Sequence, residues 1–156
     1  MTDRQTGRLL GIDLGMVRTG FAVSDPGGLL ASPVGTVTER DLERLADRTV
    51  HMAAEQKTDR VVLGYPRNMD GTRGDSARRA EEFAALLQAR GLEVIFWDER
   101  MTTLSAIGYL NQTNTRGKKR KAVVDTVAAV IILQEYLDSL KSRSDWGETP
   151  PTVSDL

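Results

Sequence analysis

The sequence has no cysteine and a single histidine, His51, among its 156 residues. The lack of cysteine excludes a disulfide framework and a thiolate metal site, and one histidine excludes a zinc site made of several imidazoles. His51 falls in a predicted helix without a partner motif, so we expect it at or near the surface. The candidate metal ligands of this chain are therefore carboxylates.

Long apolar runs are also lacking. No stretch approaches the roughly 18 consecutive apolar residues of a membrane-spanning helix. Residues 1–7 do not contain the apolar segment of a signal peptide. We therefore expect a cytoplasmic protein with no membrane partner. The net charge of −1 argues against a uniformly basic surface for nucleic acid, although it leaves room for a local basic patch.

The composition, 40% hydrophobic and 28% charged residues, is that of a soluble globular domain. Apolar runs around a glycine-bounded turn predict a hairpin within residues 8–24, and 33–37 is predicted as a short edge strand. Two further strands are predicted over 59–64 and 92–97. Four helices are predicted. One starts at a cap at Asp75 or Ser76 and runs to Arg90, and the others span 39–57, 102–110 and 122–140.

This order of elements predicts an α/β fold. Its five-stranded mixed sheet has three antiparallel strands followed by parallel strands, and helices flank it. Residues 1–140 are expected to form a single domain. Residues 141–156 are polar and include two adjacent prolines, so we expect a flexible C-terminal tail there.

Three places in the sequence put a carboxylate where packing alone would not. Asp13 ends the first apolar run, where burying a carboxylate is costly unless it is paired, hydrogen-bonded or bound to a metal. The second place is Asp98-Glu99-Arg100, directly after the fifth predicted strand, and the active groups of open α/β sheets gather at such carboxyl ends. Asp125 lies on the face of an apolar helix that is expected to pack on the sheet. Alone, Asp13 also fits a turn-forming role. Asp125 also fits an N-cap or first-turn acid, whose negative charge the helix dipole favours.

Clustered carboxylates suit hard cations such as Mg²⁺ or Mn²⁺. Two such ions can activate a water and stabilise the leaving oxygen in phosphodiester cleavage, which needs no histidine. A basic segment directly before Asp125 is a candidate for binding the phosphates, although such a charge run is often only a solvated loop. Its cations, in a predicted loop over 111–121, are Arg116, Lys118, Lys119, Arg120 and Lys121. Arg18 and Arg100 lie next to the other acids and are candidates for the same role.

Four motifs together resemble the RuvX (YqgF) family over residues 8 to about 140. In chain order they are GIDLG and RTG within 11–20, LGYPRNMDG at 63–71, DERMTT at 98–103, and KAVVD and AAVIIL within 121–133. The resemblance implies an RNase H-like fold and a metal-dependent nuclease, described for the family as Holliday-junction-resolvase-like or as acting on pre-16S rRNA. It implies Asp13, Glu99 and Asp125 as catalytic acids and metal ligands, with Asp98 as a further ligand or a neighbour of one.

The resemblance also implies that Asn68, Asp70 and Thr102 belong to the site. The implied partners are RNA, or branched or single-stranded DNA, and ribosomal assembly intermediates, for a monomer or homodimer. The chain departs from the family's pattern at Tyr65, where leucine is expected, and at 16–17, where threonine and lysine are expected. Neither departure touches the acids, but the second removes one phosphate contact.

Three other functions compete with an rRNA-processing nuclease. One is a resolvase acting in DNA repair. Another is a non-catalytic assembly factor, which predicts metal-independent binding of nucleic acid and no cleavage. The third is a sugar kinase or actin-like ATPase, whose phosphate hairpin resembles residues 11–15. Those enzymes need a second, duplicated domain, and this chain is short for one and has no Walker-type lysine loop.

Overall fold

The computed structural model describes the backbone of residues 8–66, 74–99 and 117–146, and the side chains of all of these except 117–125 and 141–146. Eight helices and strands fall within these ranges. In chain order they are β1 (Leu10–Asp13), β2 (Arg18–Ser24), β3 (Ala31–Thr38), α1 (Leu42–Glu55), β4 (Arg60–Tyr65), α2 (Asp75–Ala89), β5 (Glu93–Asp98) and α3 (Gly117–Trp146).

The strands form one mixed sheet in the order β3-β2-β1-β4-β5. The pairs β1–β2 and β2–β3 are antiparallel, whereas β1–β4 and β4–β5 are parallel. The predicted five-stranded mixed sheet is therefore confirmed, and so is the edge position of β3. The carboxyl ends of β1, β4 and β5 meet at one edge of the sheet, because parallel strands run in the same direction.

Alternation along the strands gives the sheet two buried faces. One face packs on α1 and α2 and includes Leu10, Ile12, Phe21, Val61 and Leu63. The other face packs on α3 and includes Leu9, Ala22, Val62 and Ile95. Gly11 and Asp13 alternate with Leu10 and Ile12 along β1, so they lie on the face covered by α3. The result is a sheet between two layers of helix.

The ends of α3 differ from the prediction. The helix begins at Gly117 rather than Ala122, so residues 118–121, expected in a loop, are helical. It ends at Trp146 rather than Leu140, inside the segment that was expected to be a loose tail. Lysine and arginine are good helix formers but give no apolar periodicity, so the pattern marked only the buried middle of the helix. The helix predicted over 102–110 and residues 147–156 lie outside the described residues.

The starts of the two other helices were placed one to three residues early or late. The prediction that Asp75 or Ser76 caps α2 was wrong, because the N-cap is Gly74 and Asp75 is the first helical residue. Asp75 instead lies 3.6 Å from the guanidinium of Arg78 within the first turn. Helix α1 begins at Leu42, with Asp41 at the N-cap. No helix of the described residues combines the length and apolar character that crossing a membrane requires.

Candidate metal centre at the carboxyl edge of the sheet

Asp13 is the last residue of β1 and is half-buried. It lies opposite Gly20 of β2 in the antiparallel register. Two residues earlier, on the same face, Gly11 lies directly beneath α3, since a Cβ placed there would be 2.7 Å from the Cβ of Leu133. The sheet thus presents the Asp13 carboxylate at the end of the strand, beside the helix that carries Asp125.

Glu99 follows β5 and reaches back over the neighbouring strand β4. A Cβ placed on Gly64 would lie 2.6 Å from Oε2 of Glu99 and 2.8 Å from Cδ1 of Ile132. These separations locate the Glu99 carboxylate above Gly64, on the face covered by α3. The missing side chain at Gly64 leaves the space that the carboxylate fills.

Asp13 and Gly64 lie at the same level of the sheet. Ile12 is paired with Leu63 in the parallel register of β1 and β4, and Asp13 and Gly64 are the next residues along these strands. Neighbouring strands are about 4.8 Å apart. The fold therefore places Asp13 and the Glu99 carboxylate over neighbouring strands, at one edge and on one face of the sheet.

Asp98 is placed differently from Glu99. It is the last residue of β5 and is paired with Tyr65 of β4. Tyr65 belongs to the core formed with α1 and α2, where it contacts the ring of Phe96 and donates a hydrogen bond from its hydroxyl to Glu81. Alternation therefore sets Asp98 on the opposite face from Asp13, which favours its interpretation as a neighbour of the site over that as a direct ligand.

Burial raises the pKa of Glu99, and the nearby Asp98 carboxylate raises it further. Both effects act against the ionised form, because it loses hydration and faces a like charge. Ionisable groups with such shifts are common at functional sites, and a cation beside Glu99 would offset both costs.

Asp125 lies in α3, one helical turn before the buried Ala129 and two turns before Ile132, the residue beside Gly64. Its side chain is outside the described part, so its role as the third acid stays a prediction. Among the described side chains, no group of three or more Asp, Glu or His residues is arranged to hold a metal ion.

The predicted phosphate-binding residues are described only in part. Arg18 begins β2 and is half-buried, on the same face of the strand as Gly20. Lys118, Lys119, Arg120 and Lys121 lie in the first turns of α3, with side chains outside the described part. The residues that lie wholly outside the described ranges are Asn68, Asp70, Arg100, Thr102 and Arg116.

Sequence reasoning assigned no role to Gly64 or to Ile132. A glycine inside a strand pattern often marks a close approach of other atoms, and this signal was present at Gly64. The identity of the approaching group could not be predicted, because it depends on how β4, β5 and α3 are paired and packed.

The fold is RNase H-like, as its likeness to solved resolvase structures shows. The RuvC protein of Thermus thermophilus in complex with a Holliday junction substrate superposes with a TM-score of 0.54, at 12% identity, covering 89% of this chain and 96% of that one. A second Thermus thermophilus RuvC structure gives a TM-score of 0.51 at 14% identity, covering 92% and 99%. Sequence identities of 12% and 14% are too low to transfer a function, so these two structures show the fold alone.

The particular family is shown by sequence. A family model described as RuvX: Holliday junction resolvase matches residues 7–139, and the chain belongs to this family. A relative from Acetivibrio thermocellus is 45% identical over 135 residues, covering 85% of this chain and 96% of its own. One from Agathobacter rectalis is 44% identical over 142 residues, covering 88% and 99%. Both relatives are named "Putative pre-16S rRNA nuclease".

Proposed function

We propose that this protein is a metal-dependent nuclease that hydrolyses phosphodiester bonds in nucleic acid, and that it processes the 5′ end of pre-16S rRNA. The observation that carries the proposal is the placement of Asp13 and Glu99 at one edge and on one face of the sheet, with the Glu99 carboxylate over Gly64. The names of the relatives support the substrate. An rRNA substrate in turn supports a cytoplasmic location and contact with ribosomal assembly intermediates.

The residues of the site fit a hard divalent cation. Asp13 and Glu99 offer carboxylate oxygens, which Mg²⁺ and Mn²⁺ prefer. The raised pKa of Glu99 reflects a buried negative charge that lacks full compensation, which a cation would provide. Asp13, Glu99 and Asp125 would hold the metal. A pair of such ions, when bound by these residues, would supply the chemistry that activates a water and stabilises the leaving oxygen.

The chain's own contribution is to hold oxygens and phosphates in place. Strand β1 fixes Asp13, and the packing around Gly64 fixes Glu99. The basic start of α3 combines lysine and arginine side chains with the positive end of the helix dipole, an arrangement that attracts phosphate. The residues proposed for phosphate binding are Arg18, Arg100, Arg116, Lys118, Lys119, Arg120 and Lys121. Asn68, Asp70 and Thr102 are proposed as further residues of the site.

A Holliday-junction resolvase is the second candidate. The family description names that activity, and a RuvC structure bound to a Holliday junction has the same fold. The same acids would perform the cleavage, so the two candidates differ in the nucleic acid bound and not in the chemistry.

The test is a cleavage assay with three labelled substrates. They are an RNA that extends past the 5′ end of 16S rRNA, a single-stranded DNA and a four-way DNA junction, each with Mg²⁺, Mn²⁺ or EDTA. We expect metal-dependent cleavage of the RNA and none in EDTA. Preferential cleavage of the junction would favour the resolvase. Binding without cleavage of any substrate would contradict the nuclease and favour an assembly factor.

A further inference from the structure

We propose that Gly64 is a positioning residue, because its lack of a side chain is what allows the Glu99 carboxylate to lie over β4 and face Asp13. The inference rests on the proposed function, in which Glu99 and Asp13 hold a metal together. It goes further by assigning a specific task to a residue that has no chemical group of its own.

The contacts around Gly64 decide which atoms would yield to a larger residue. A Cβ at this position would lie 2.6 Å from Oε2 and 3.1 Å from Cδ of Glu99, and 2.8 Å from Cδ1 of Ile132. Real Cβ atoms essentially never approach other atoms within 3.0 Å, so something must shift. Both groups are the far ends of flexible side chains, so they would rotate away while the backbone stays in place.

Movement of Glu99 would separate it from Asp13. Glu99 directly follows β5 and its carboxylate reaches over the neighbouring strand β4, while Asp13 ends β1 on the far side of β4. On the β5 side of β4, Gly64 is paired with Trp97. The ring of Trp97 packs edge-on against the ring of Tyr136 in α3, with the two ring centroids 6.1 Å apart. Occupying the space over Gly64 thus blocks the path by which Glu99 reaches the shared site.

Gly11 provides a matched comparison on the same sheet face. A Cβ there would lie 2.7 Å from the Cβ of Leu133 and 3.2 Å from the backbone oxygen of Ala129. These atoms belong to the stiff part of α3, so the helix itself would have to move. Gly11→Ala therefore disturbs the packing of the α3 backbone without touching Glu99, whereas the nearest atoms to the new methyl group in Gly64→Ala are the side-chain ends of Glu99 and Ile132.

The experiment measures the Mn²⁺ dissociation constant by calorimetry and the melting temperature without metal. For Gly64→Ala we expect the dissociation constant to rise about 10- to 100-fold, the range seen when groups that orient metal ligands are removed. Melting without metal and RNA binding in EDTA should be nearly unchanged. Gly11→Ala should instead lower the melting temperature without metal, because its new methyl group meets the stiff part of α3.

A second variant separates the two contacts of Gly64. Replacing Ile132 by valine removes Cδ1, so in Gly64→Ala/Ile132→Val the new methyl group meets only Glu99. We expect the same loss of Mn²⁺ affinity as in the single variant. If Gly64→Ala alone does not fold, the Mn²⁺ affinity of this double variant tests the positioning role of Gly64.

Variants at Glu99 distinguish positioning from general damage. In a Glu99→Ala background, Gly64→Ala should cause no further loss of Mn²⁺ affinity, since no carboxylate remains to be displaced. Unchanged affinity in both Gly64→Ala and Gly64→Ala/Ile132→Val, alongside loss in Glu99→Ala, would overturn the inference. A loss of equal size with and without Glu99 would overturn it too. A wild-type protein that binds no Mn²⁺ would instead reject the proposed function, and the inference with it.

Discussion

At the scale of single residues, the ionisation of Glu99 links the fold to pH. Burial, followed by the Asp98 carboxylate, raises its pKa above the ordinary value of a glutamate. Between the unfolded and the folded pKa, the folded protein binds more protons than the unfolded chain. Stability without metal therefore falls as pH rises through that window, because the fold then has to hold a poorly hydrated negative charge.

Replacing Glu99 with glutamine tests this linkage. The amide is nearly the same size and cannot ionise, so the variant should unfold at higher temperature than the wild type at neutral pH without metal. The difference should shrink as pH falls toward the ordinary glutamate range. Melting curves at several pH values in EDTA provide the measurement. If the difference in melting temperature between the variant and the wild type were the same at every pH, ionisation of Glu99 would not be its cause.

The close approach of Leu133 to Gly11 leads us to predict that truncating the Leu133 side chain lowers the free energy of unfolding. Leu133 is fully buried against β1. Leu133→Ala should cost about 2–5 kcal/mol of unfolding free energy, through lost apolar burial and the cavity left behind. Leu30→Ala is the matched control, because Leu30 is 65% exposed and its truncation should cost no more than about 0.5 kcal/mol. Denaturant unfolding checks both values, and similar costs at the two sites would contradict the packing described.

At the scale of elements, the strands were the easiest features to predict. Their apolar runs and glycine-bounded turns are local signals, and each described strand lies within a few residues of its predicted position. The ends of α3 could not be predicted in this way, because residues 117–121 and 141–146 are polar. In these two segments the helix is stabilised by the helix propensity of its residues and by the packing of the adjacent buried part of α3. Neither effect produces an apolar pattern in the sequence.

The start of α3 carries the prediction for nucleic-acid binding. Replacing Lys118, Lys119 and Arg120 with alanine should weaken RNA binding and flatten its dependence on salt. Each lost phosphate contact removes about 0.7 to 0.9 units from the logarithmic slope. Alanine preserves the helix, so the effect would be one of charge. Binding titrations over a range of salt concentrations give the slope.

The matched control removes three exposed arginines from the opposite layer of helices. They are Arg44, Arg48 and Arg78 on α1 and α2. This change alters the net charge equally but should leave the salt slope close to that of the wild type. If the two triple variants behave alike, the start of α3 has no special part in binding.

At the scale of the whole molecule, the candidate site depends on sheet topology. Asp13 and Glu99 are far apart in sequence. They share one edge of the sheet because β1, β4 and β5 are parallel, and Glu99 reaches toward β1 over the intervening strand β4. The sequence indicated that both acids end strands, which was enough to predict a shared edge. It could not predict that Glu99 would reach across Gly64, because that depends on register and on packing against α3. The placement of the Asp125 side chain remains a prediction.

The central claim is that Asp13 acts through its charge on a bound metal, and Asp13→Asn tests it most directly. Asparagine keeps the size and most of the hydrogen bonding but removes the charge. We expect Mn²⁺-dependent cleavage to fall at least about 100-fold, the scale of losing a well-placed catalytic group. Binding of RNA should persist, and the variant should gain less thermal stability from Mn²⁺ than the wild type.

The measurement is the cleavage rate of the RNA substrate by wild type and Asp13→Asn, with binding and melting recorded on the same samples. Loss of cleavage with folding and binding retained is the predicted result. Loss of folding and binding together would indicate that Asp13 is a structural turn residue. A wild type with robust metal-dependent cleavage and an Asp13→Asn variant of equal activity would contradict the account.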